Sequence, residues 1–117
     1  MKLMIRAHDL GVKGEDNIVE KLCEWDLDGI QLVAYKSIDG VSYSQGNLTD
    51  GRAKQISNAI RGAGKDIALI GAYFNPVHPN EEKVNHGEEM FKEYLSLSKS
   101  LGCSIVGSET GSFMGDP

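Results

Sequence analysis

The chain has 117 residues, of which 25% are charged and 40% hydrophobic, as in an ordinary globular domain that can bury a core. The formal net charge of −5 provides no general attraction for a phosphate backbone, so no nucleic acid partner is expected. No apolar run approaches the roughly 20 residues that span a bilayer and no signal-peptide pattern is present, so we expect no membrane partner and a cytoplasmic location. Cys23 and Cys103 lack CxxC spacing and are expected to be buried thiols.

The first third of the chain predicts a strand, a helix and a second strand. Residues 2–8 form the first candidate strand. A helix is expected over residues 15–25, because Ile18, Leu22 and Trp25 recur at helical spacing. The second strand covers residues 29–35, with alternate side chains on opposite faces.

A polar segment and a second helix follow. Residues 36–47 hold glycines and serines and are expected to form a long functional or mobile loop. The helix begins near Asn47 or Thr49, either of which can cap it, and Gly62 and Gly64 end it.

The third unit is the most informative, because an apolar run leads directly into a polar turn. Residues 67–80 predict a buried strand followed by a loop with two prolines. Asn80 is the expected N-cap of a helix that reaches Leu101, and Gly102 is a good C-terminal residue for it. Residues 103–108 form a fourth strand, which leads into Glu109.

The order βαβαβαβ predicts one α/β domain, residues 1–117, with a parallel sheet of four strands, three helices and right-handed crossovers. Such a sheet can be an open doubly wound domain or half of a (β/α)₈ barrel. Composition does not choose between these two architectures.

Four short motifs follow the predicted strands in order. They are Arg6-x-His8-Asp9, Gly29-Ile30-Gln31-Leu32, Gly71-x-Tyr73-x-Asn75-Pro76-x-His78-Pro79, and Leu101-Gly102 followed by Glu109-Thr110-Gly111-Ser112. Together they resemble the xylose-isomerase-like TIM-barrel superfamily, and more narrowly the sugar phosphate isomerases and epimerases of carbohydrate metabolism.

This resemblance implies that the chain is the N-terminal half of an eight-unit barrel. The family chemistry is metal-assisted proton transfer next to a sugar carbonyl. In the family the second half of the barrel supplies most ligands of the divalent metal (Mn, Mg, Co or Zn) and the proton-abstracting glutamates. We therefore expect that metal only in a complete barrel, assign no metal ligand to this half, and expect the half to be inactive alone.

Two residues at strand ends are candidates for a catalytic role. His8 can bind a sugar hydroxyl, or it can be tied to a neighbouring loop. Glu109 stands where barrels place catalytic groups, although it can also be a structural charge paired with Arg6 or His8.

Six further residues are candidates for substrate binding. They are Gln31 and Tyr35 on one face of strand two, Tyr73 and Asn75 on one face of strand three, His78 in the following loop, and Ser112 near the C-terminus. Gln31 can instead be polar packing inside a barrel, Asn75 can fix its own loop, and His78 can be solvated. Residues 110–112 can bind a phosphate through backbone N–H groups.

The expected ligand is a sugar or a sugar phosphate. We also expect a homo-oligomer, because strands one and four would otherwise present free backbone edges. The alternative function is a non-catalytic half-barrel module that binds a small polyol or self-assembles.

Overall fold

The computed structural model describes residues 2–109, and within this range four parallel strands form one sheet in the order β1-β2-β3-β4. The strands are β1 (Met4–Arg6), β2 (Gly29–Leu32), β3 (Asp66–Gly71) and β4 (Val106–Gly107). The helices are α1 (Glu15–Glu24), α2 (Ala34–Ser37), α3 (Asp50–Gly62) and α4 (Glu81–Leu101), and a 3-10 turn covers Ala7–Asp9. The predicted parallel α/β sheet is confirmed.

Capping residues set the first and last turns of the long helices α3 and α4. Asn80 accepts a 3.0 Å hydrogen bond from the backbone N–H of Glu82, which makes it the N-cap of α4, and Gly102 ends that helix at φ +70°. Thr49 accepts a hydrogen bond from Arg52 N–H and caps α3. Asn47, the other candidate, instead accepts from the backbone N–H of Ser42.

The hydrophobic core lies between one face of the sheet and the helices α1, α3 and α4. The sheet contributes Ile30, Leu32, Ile67 and Ile70, and the helices contribute Ile18, Leu22, Ile56, Ile60, Met90 and Tyr94, all of them at most 4% exposed. No helix within residues 2–109 is long and apolar enough to cross a membrane.

The opposite face of the sheet, called the open face below, carries Gln31, Leu69 and Ile105. Gln31 and Leu69 are register partners, and a Cβ on Gly107 would contact the Leu69 side chain, so these positions share a face. Ile105 lies two residues before Gly107 and therefore projects to the same side. Ile105 is 55% exposed, and Gln31 and Leu69 are only half-buried.

Strand two is shorter than predicted, and this corrects the placement of Tyr35. β2 ends at Leu32 and the chain turns into α2, where Lys36 N–H bonds to Val33 O over 3.0 Å. Tyr35 therefore lies on a helical turn and does not share a strand face with Gln31. The apolar and aromatic residues of this segment suit a strand and a buried turn equally well, so alternation alone was misleading.

The first and third strands also end early. β1 ends at Arg6, which puts His8 in the 3-10 turn. β3 ends at Gly71, so the prediction that Tyr73 and Asn75 share a face of that strand is wrong. β3 ends there because its neighbour β4 is short and pairs only with Ile70 and Gly71.

Two smaller expectations also need correction. The segment 36–47 is more ordered than a polar loop, because Ile38 and Val41 are buried in the core and residues up to 37 are helical. Cys103 is buried as expected, whereas Cys23 is exposed. Cys23 follows Leu22 on α1, and the next helical position turns away from the buried stripe of Ile18 and Leu22.

Candidate functional site

A cavity of about 510 Å³, called the strand-end cavity below, opens at the carboxyl ends of the four strands. Each strand end contributes to its wall, and the lining residues are Arg6, His8, Tyr35, Lys36, Tyr43, Tyr73, Phe74, Asn75 and Glu109. Ligands of α/β barrels bind at this edge, because the loops that follow the parallel strands converge there.

Tyr35 joins two walls of the strand-end cavity. Its phenolic oxygen accepts a 3.1 Å hydrogen bond from the backbone N–H of Tyr73, and its ring meets the Tyr43 ring edge-on at a centroid distance of 4.8 Å. Burial raises the pKa of Tyr35 to about 12. The phenol is therefore protonated at neutral pH and can donate a hydrogen bond to a ligand.

His8 brings an uncharged imidazole to the cavity. Burial lowers the pKa of His8, and the positive charges of Lys36 and Arg6 lower it further, while Asp9 acts in the opposite direction. Its Nδ1 atom is buried and has no hydrogen-bond partner among residues 2–109. Asp9 is engaged elsewhere, since it accepts a 2.7 Å hydrogen bond from Arg6 Nε.

Gly71 makes room for the Tyr73 ring. A Cβ at Gly71 would lie 2.5 Å from Tyr73 Cε2 and 2.7 Å from Val33 Cγ2, closer than side chains tolerate. Asn75 is 6% exposed, and its Oδ1 accepts a 3.2 Å hydrogen bond from Val77 N–H. Asn75 therefore fixes its own loop while it also lines the cavity.

The structure brings five of the eight predicted residues to one cavity: His8, Tyr35, Tyr73, Asn75 and Glu109. His78 instead lines a neighbouring cavity, and its Nδ1 accepts a 2.9 Å hydrogen bond from Asn80 N–H. Gln31 lies on the open face and does not line the strand-end cavity, and Ser112 lies outside the described residues.

Sequence reasoning missed Arg6, Lys36, Tyr43 and Phe74 as lining residues. Tyr43 is an aromatic residue among serines and glycines, a contrast that could have marked it within segment 36–47. Lys36 directly follows Tyr35, but no sequence pattern shows that α2 turns both side chains toward the same cavity.

The metal that the resemblance implies does not fit the part of the chain that the structure describes. No three His, Cys, Asp or Glu side chains within residues 2–109 come together as a metal site. His8 and Glu109 share the cavity with Arg6 and Lys36, whose positive charges oppose a divalent cation. We therefore assign no step of any reaction to a metal held by these residues alone.

The comparisons with known proteins bear on the fold of the chain. No family model matches the sequence, and no curated protein matches it significantly. The structure superimposes with a TM-score of 0.71 on a protein from Rhodospirillum rubrum that is provisionally named a xylose isomerase. The alignment covers 96% of this chain and 40% of that protein at 20% sequence identity. The chain has the fold of part of a xylose isomerase-like barrel.

The half-barrel expectation is thus confirmed at the level of fold, and of the two architectures left open above the barrel is the correct one. The likeness at 20% identity concerns the fold, and it assigns no function to any residue. The half-barrel spans 40% of the length of the protein that it matches, so the activity of a complete barrel is a matter for proposal.

Proposed function

We propose that the half-barrel forms one side of the substrate site of a sugar or sugar phosphate isomerase or epimerase, and that it is inactive without a second half. The observation that carries this proposal is the grouping of His8, Tyr35, Tyr73, Asn75 and Glu109 around one cavity at the strand ends. The barrel fold supports it, because barrel enzymes act at this edge of the sheet.

The chemistry of the cavity suits recognition of a sugar next to its carbonyl. Isomerisation and epimerisation move a proton at the carbon beside the carbonyl, and they need groups that accept and donate protons. The uncharged imidazole of His8 can accept a proton or a hydrogen bond, and the protonated phenol of Tyr35 can donate one. Glu109 adds a carboxylate, which suits a pair of sugar hydroxyls.

Two cations favour a substrate that carries a negative group. Arg6 and Lys36 line the cavity with Glu109 as the one carboxylate among the nine lining residues. Arg6 is already paired with Asp9, so a phosphate on the sugar would gain mainly from the positive charge of Lys36. This supports a sugar phosphate over a neutral sugar for the strand-end cavity.

The expected inactivity of the half-barrel also has a physical basis. The open face is exposed around Ile105, and the cavity is walled by one set of loops, so solvent reaches a bound sugar from the other side. Catalysis by preorganised groups requires that water be excluded from the reacting atoms. A second set of strand ends would complete the enclosure.

Binding and turnover test the two parts of this proposal. Titration of the isotopically labelled chain with ketoses and ketose phosphates should shift backbone NMR signals near His8, Tyr35 and Glu109. Glu109→Gln should weaken the binding by about tenfold, the loss of one charge-assisted hydrogen bond. Glu20→Gln, on the exposed side of α1, is the matched control and should leave it unchanged.

The proposal fails if no member of a panel of ketoses and their phosphates binds. Its second part fails if the chain alone converts any of them, with or without added Mn, Mg, Co or Zn. Binding without turnover is the expected result.

The second candidate function is a non-catalytic module that binds a small polyol or self-assembles. The observation that favours it is the open face, which presents Leu69 and Ile105 on a sheet whose other face is fully packed. Under this function the assembled protein binds sugars but never converts them, whichever metal is supplied.

A further inference from the structure

We propose that the ligand of this site has two sugar rings, and that the second ring occupies a separate cavity beside the strand-end cavity. This inference rests on the proposed function and names its substrate class as a disaccharide or glycoside. The second cavity, called the α4 cavity below, also measures about 510 Å³. It is lined by Tyr43, Tyr73, Phe74, Asn75, His78, Asn80, Glu82, Lys83 and His86.

The two cavities adjoin each other. Tyr43, Tyr73, Phe74 and Asn75 line both, so a ligand bound in one touches the wall of the other. Each cavity lies within the range of roughly 300–1,000 Å³ that small-molecule sites occupy. A single monosaccharide bound in one cavity would leave its neighbour to water.

The shared wall is aromatic and held in place. The Tyr43 ring packs edge-on against Tyr35 in the strand-end cavity and against His86 in the α4 cavity, with centroid distances of 4.8 and 4.9 Å. The His86 ring also bonds the backbone carbonyl of Tyr43 through Nε2 over 3.0 Å. Phe74 is braced by Phe91 and by the close approach of Gly87. Fixed aromatic walls offer apolar contact area at low entropic cost, which suits the C–H faces of sugar rings.

The polar groups of the α4 cavity favour a neutral ring over an anion. Asn80 already takes the helix N-terminal donors, since its Oδ1 accepts from Glu82 N–H and its carbonyl accepts from Lys83 and Val84 N–H. The carboxylates of Glu81 and Glu82 occupy the positive end of the helix dipole. A phosphate there would meet the negative charge of these carboxylates. The backbone N–H groups of Glu82, Lys83 and Val84 are already engaged by Asn80 and cannot bind it.

Hydroxyl groups have no such difficulty. Glu82 accepts hydrogen bonds and Lys83 donates them. In a neutral ring, His78 accepts at Nδ1 from Asn80 and so donates through Nε2, whereas His86 donates through Nε2 to the Tyr43 carbonyl and so accepts at Nδ1. The strand-end cavity, with Arg6 and Lys36, is the more positive of the two. We therefore place the reacting ring in the strand-end cavity and the second, neutral ring in the α4 cavity.

Affinity measurements on matched sugars test this inference. The 117-residue chain is titrated by calorimetry with fructose and with glucosyl-fructoses that keep the ketose free, joined at O3, O5 or O6. At least one of these disaccharides should bind ten times more tightly than fructose. If fructose binds and all three disaccharides bind equally tightly or more weakly than it does, the proposal of a second ring is overturned and the proposed function still stands. If neither fructose nor any disaccharide binds, the second ring is overturned as well, and the panel of ketoses and their phosphates described above decides the proposed function separately.

Two variants localise the second ring. Glu82→Ala should reduce the advantage of the disaccharide to less than threefold while the affinity for fructose is unchanged. Glu81→Ala is the matched control, because it removes the neighbouring carboxylate, which does not line the cavity. An equal loss in both variants, or shifts of the amide signals of residues 80–86 on titration with inorganic phosphate alone, would overturn the assignment of a neutral ring to the α4 cavity.

Discussion

The backbone N–H of Tyr73 donates a 3.1 Å hydrogen bond to the phenolic oxygen of Tyr35, and this bond ties the chain after β3 to helix α2. The two residues are 38 positions apart in sequence. Since both line the strand-end cavity, the bond fixes the relative position of two of its walls. The last backbone bond from this segment to β4 is made by Ala72 N–H to Gly107 O over 3.0 Å, and at Tyr73 a side chain supplies the partner instead.

Tyr35→Phe tests the energetic value of this bond. The substitution keeps the ring but leaves the N–H of Tyr73 without its acceptor, so the free energy of unfolding should fall by about 1–3 kcal/mol. Tyr43→Phe is the control, because the Tyr43 ring rather than its hydroxyl packs against Tyr35 and His86. Its unfolding free energy should stay within about 0.5 kcal/mol of the wild type. Equal losses in urea denaturation would contradict the role of the Tyr35 oxygen.

Gly87 is expected to be intolerant of a larger side chain. A Cβ at this position on α4 would overlap the Cβ, Cγ and Cδ2 atoms of Phe74, which are close to the backbone and cannot swing away. Gly87→Ala should therefore cost about 1–3 kcal/mol of stability despite the better helix propensity of alanine, and it should displace the Phe74 wall.

Gly51 in α3 provides the matched control, since nothing lies within 4 Å of a Cβ built there. Gly51→Ala should be neutral or more stable by up to about 1 kcal/mol. Thermal melts of the two variants give the comparison, and a stabilised Gly87→Ala protein would show that Phe74 is not packed as described.

The sequence predicted those features of the fold that depend on residues close together in the chain. The caps at Thr49, Asn80 and Gly102 are set by neighbouring residues, and each appears where it was expected or at one of two expected positions. The parallel order of the sheet also followed from the alternation of strands and helices.

The strand ends could not be predicted because they depend on distant partners. β3 stops at Gly71 since β4 offers only two residues to pair with, a fact that no pattern within residues 67–80 contains. For the same reason Tyr35 was wrongly assigned to a strand, and Lys36 and Tyr43 were not predicted as lining residues. Lys36 reaches the cavity because α2 turns the chain, and Tyr43 reaches it because its ring packs on His86 of α4.

Stability should depend on pH through His8. Burial and the charge of Lys36 hold its pKa below the ordinary value of 6.5, so the unfolded chain binds a proton at a higher pH than the folded chain does. The free energy of unfolding should accordingly fall as the pH drops through about 6.5, and His8 should add no slope above that. Glu15 gives a separate pH dependence. The hydrogen bond from Arg52 lowers the pKa of Glu15, so the stabilisation from this pair is lost only when the pH falls below about 4.

Two neighbouring substitutions should move the His8 titration in opposite directions. Lys36→Gln removes a positive charge and should raise the pKa of His8, whereas Asp9→Asn removes a negative one and should lower it. NMR titration of the His8 ring protons measures both. A His8 pKa that rises or falls equally in the two variants would contradict the electrostatic description of the cavity.

The open face predicts how the half-barrel assembles. Ile105 and Leu95 are both large, exposed hydrophobic residues, at 55% and 48%, but Ile105 belongs to the open face and Leu95 to helix α4. If two copies pair to cover their sheets, a lysine at 105 places a charge in the interface, while a lysine at 95 stays in solvent. Sedimentation at micromolar concentration should find a dimer or larger assembly for the wild type and for Leu95→Lys, and a monomer for Ile105→Lys. A wild-type monomer, or equal dissociation of both variants, would show that the open face is not the surface through which copies associate.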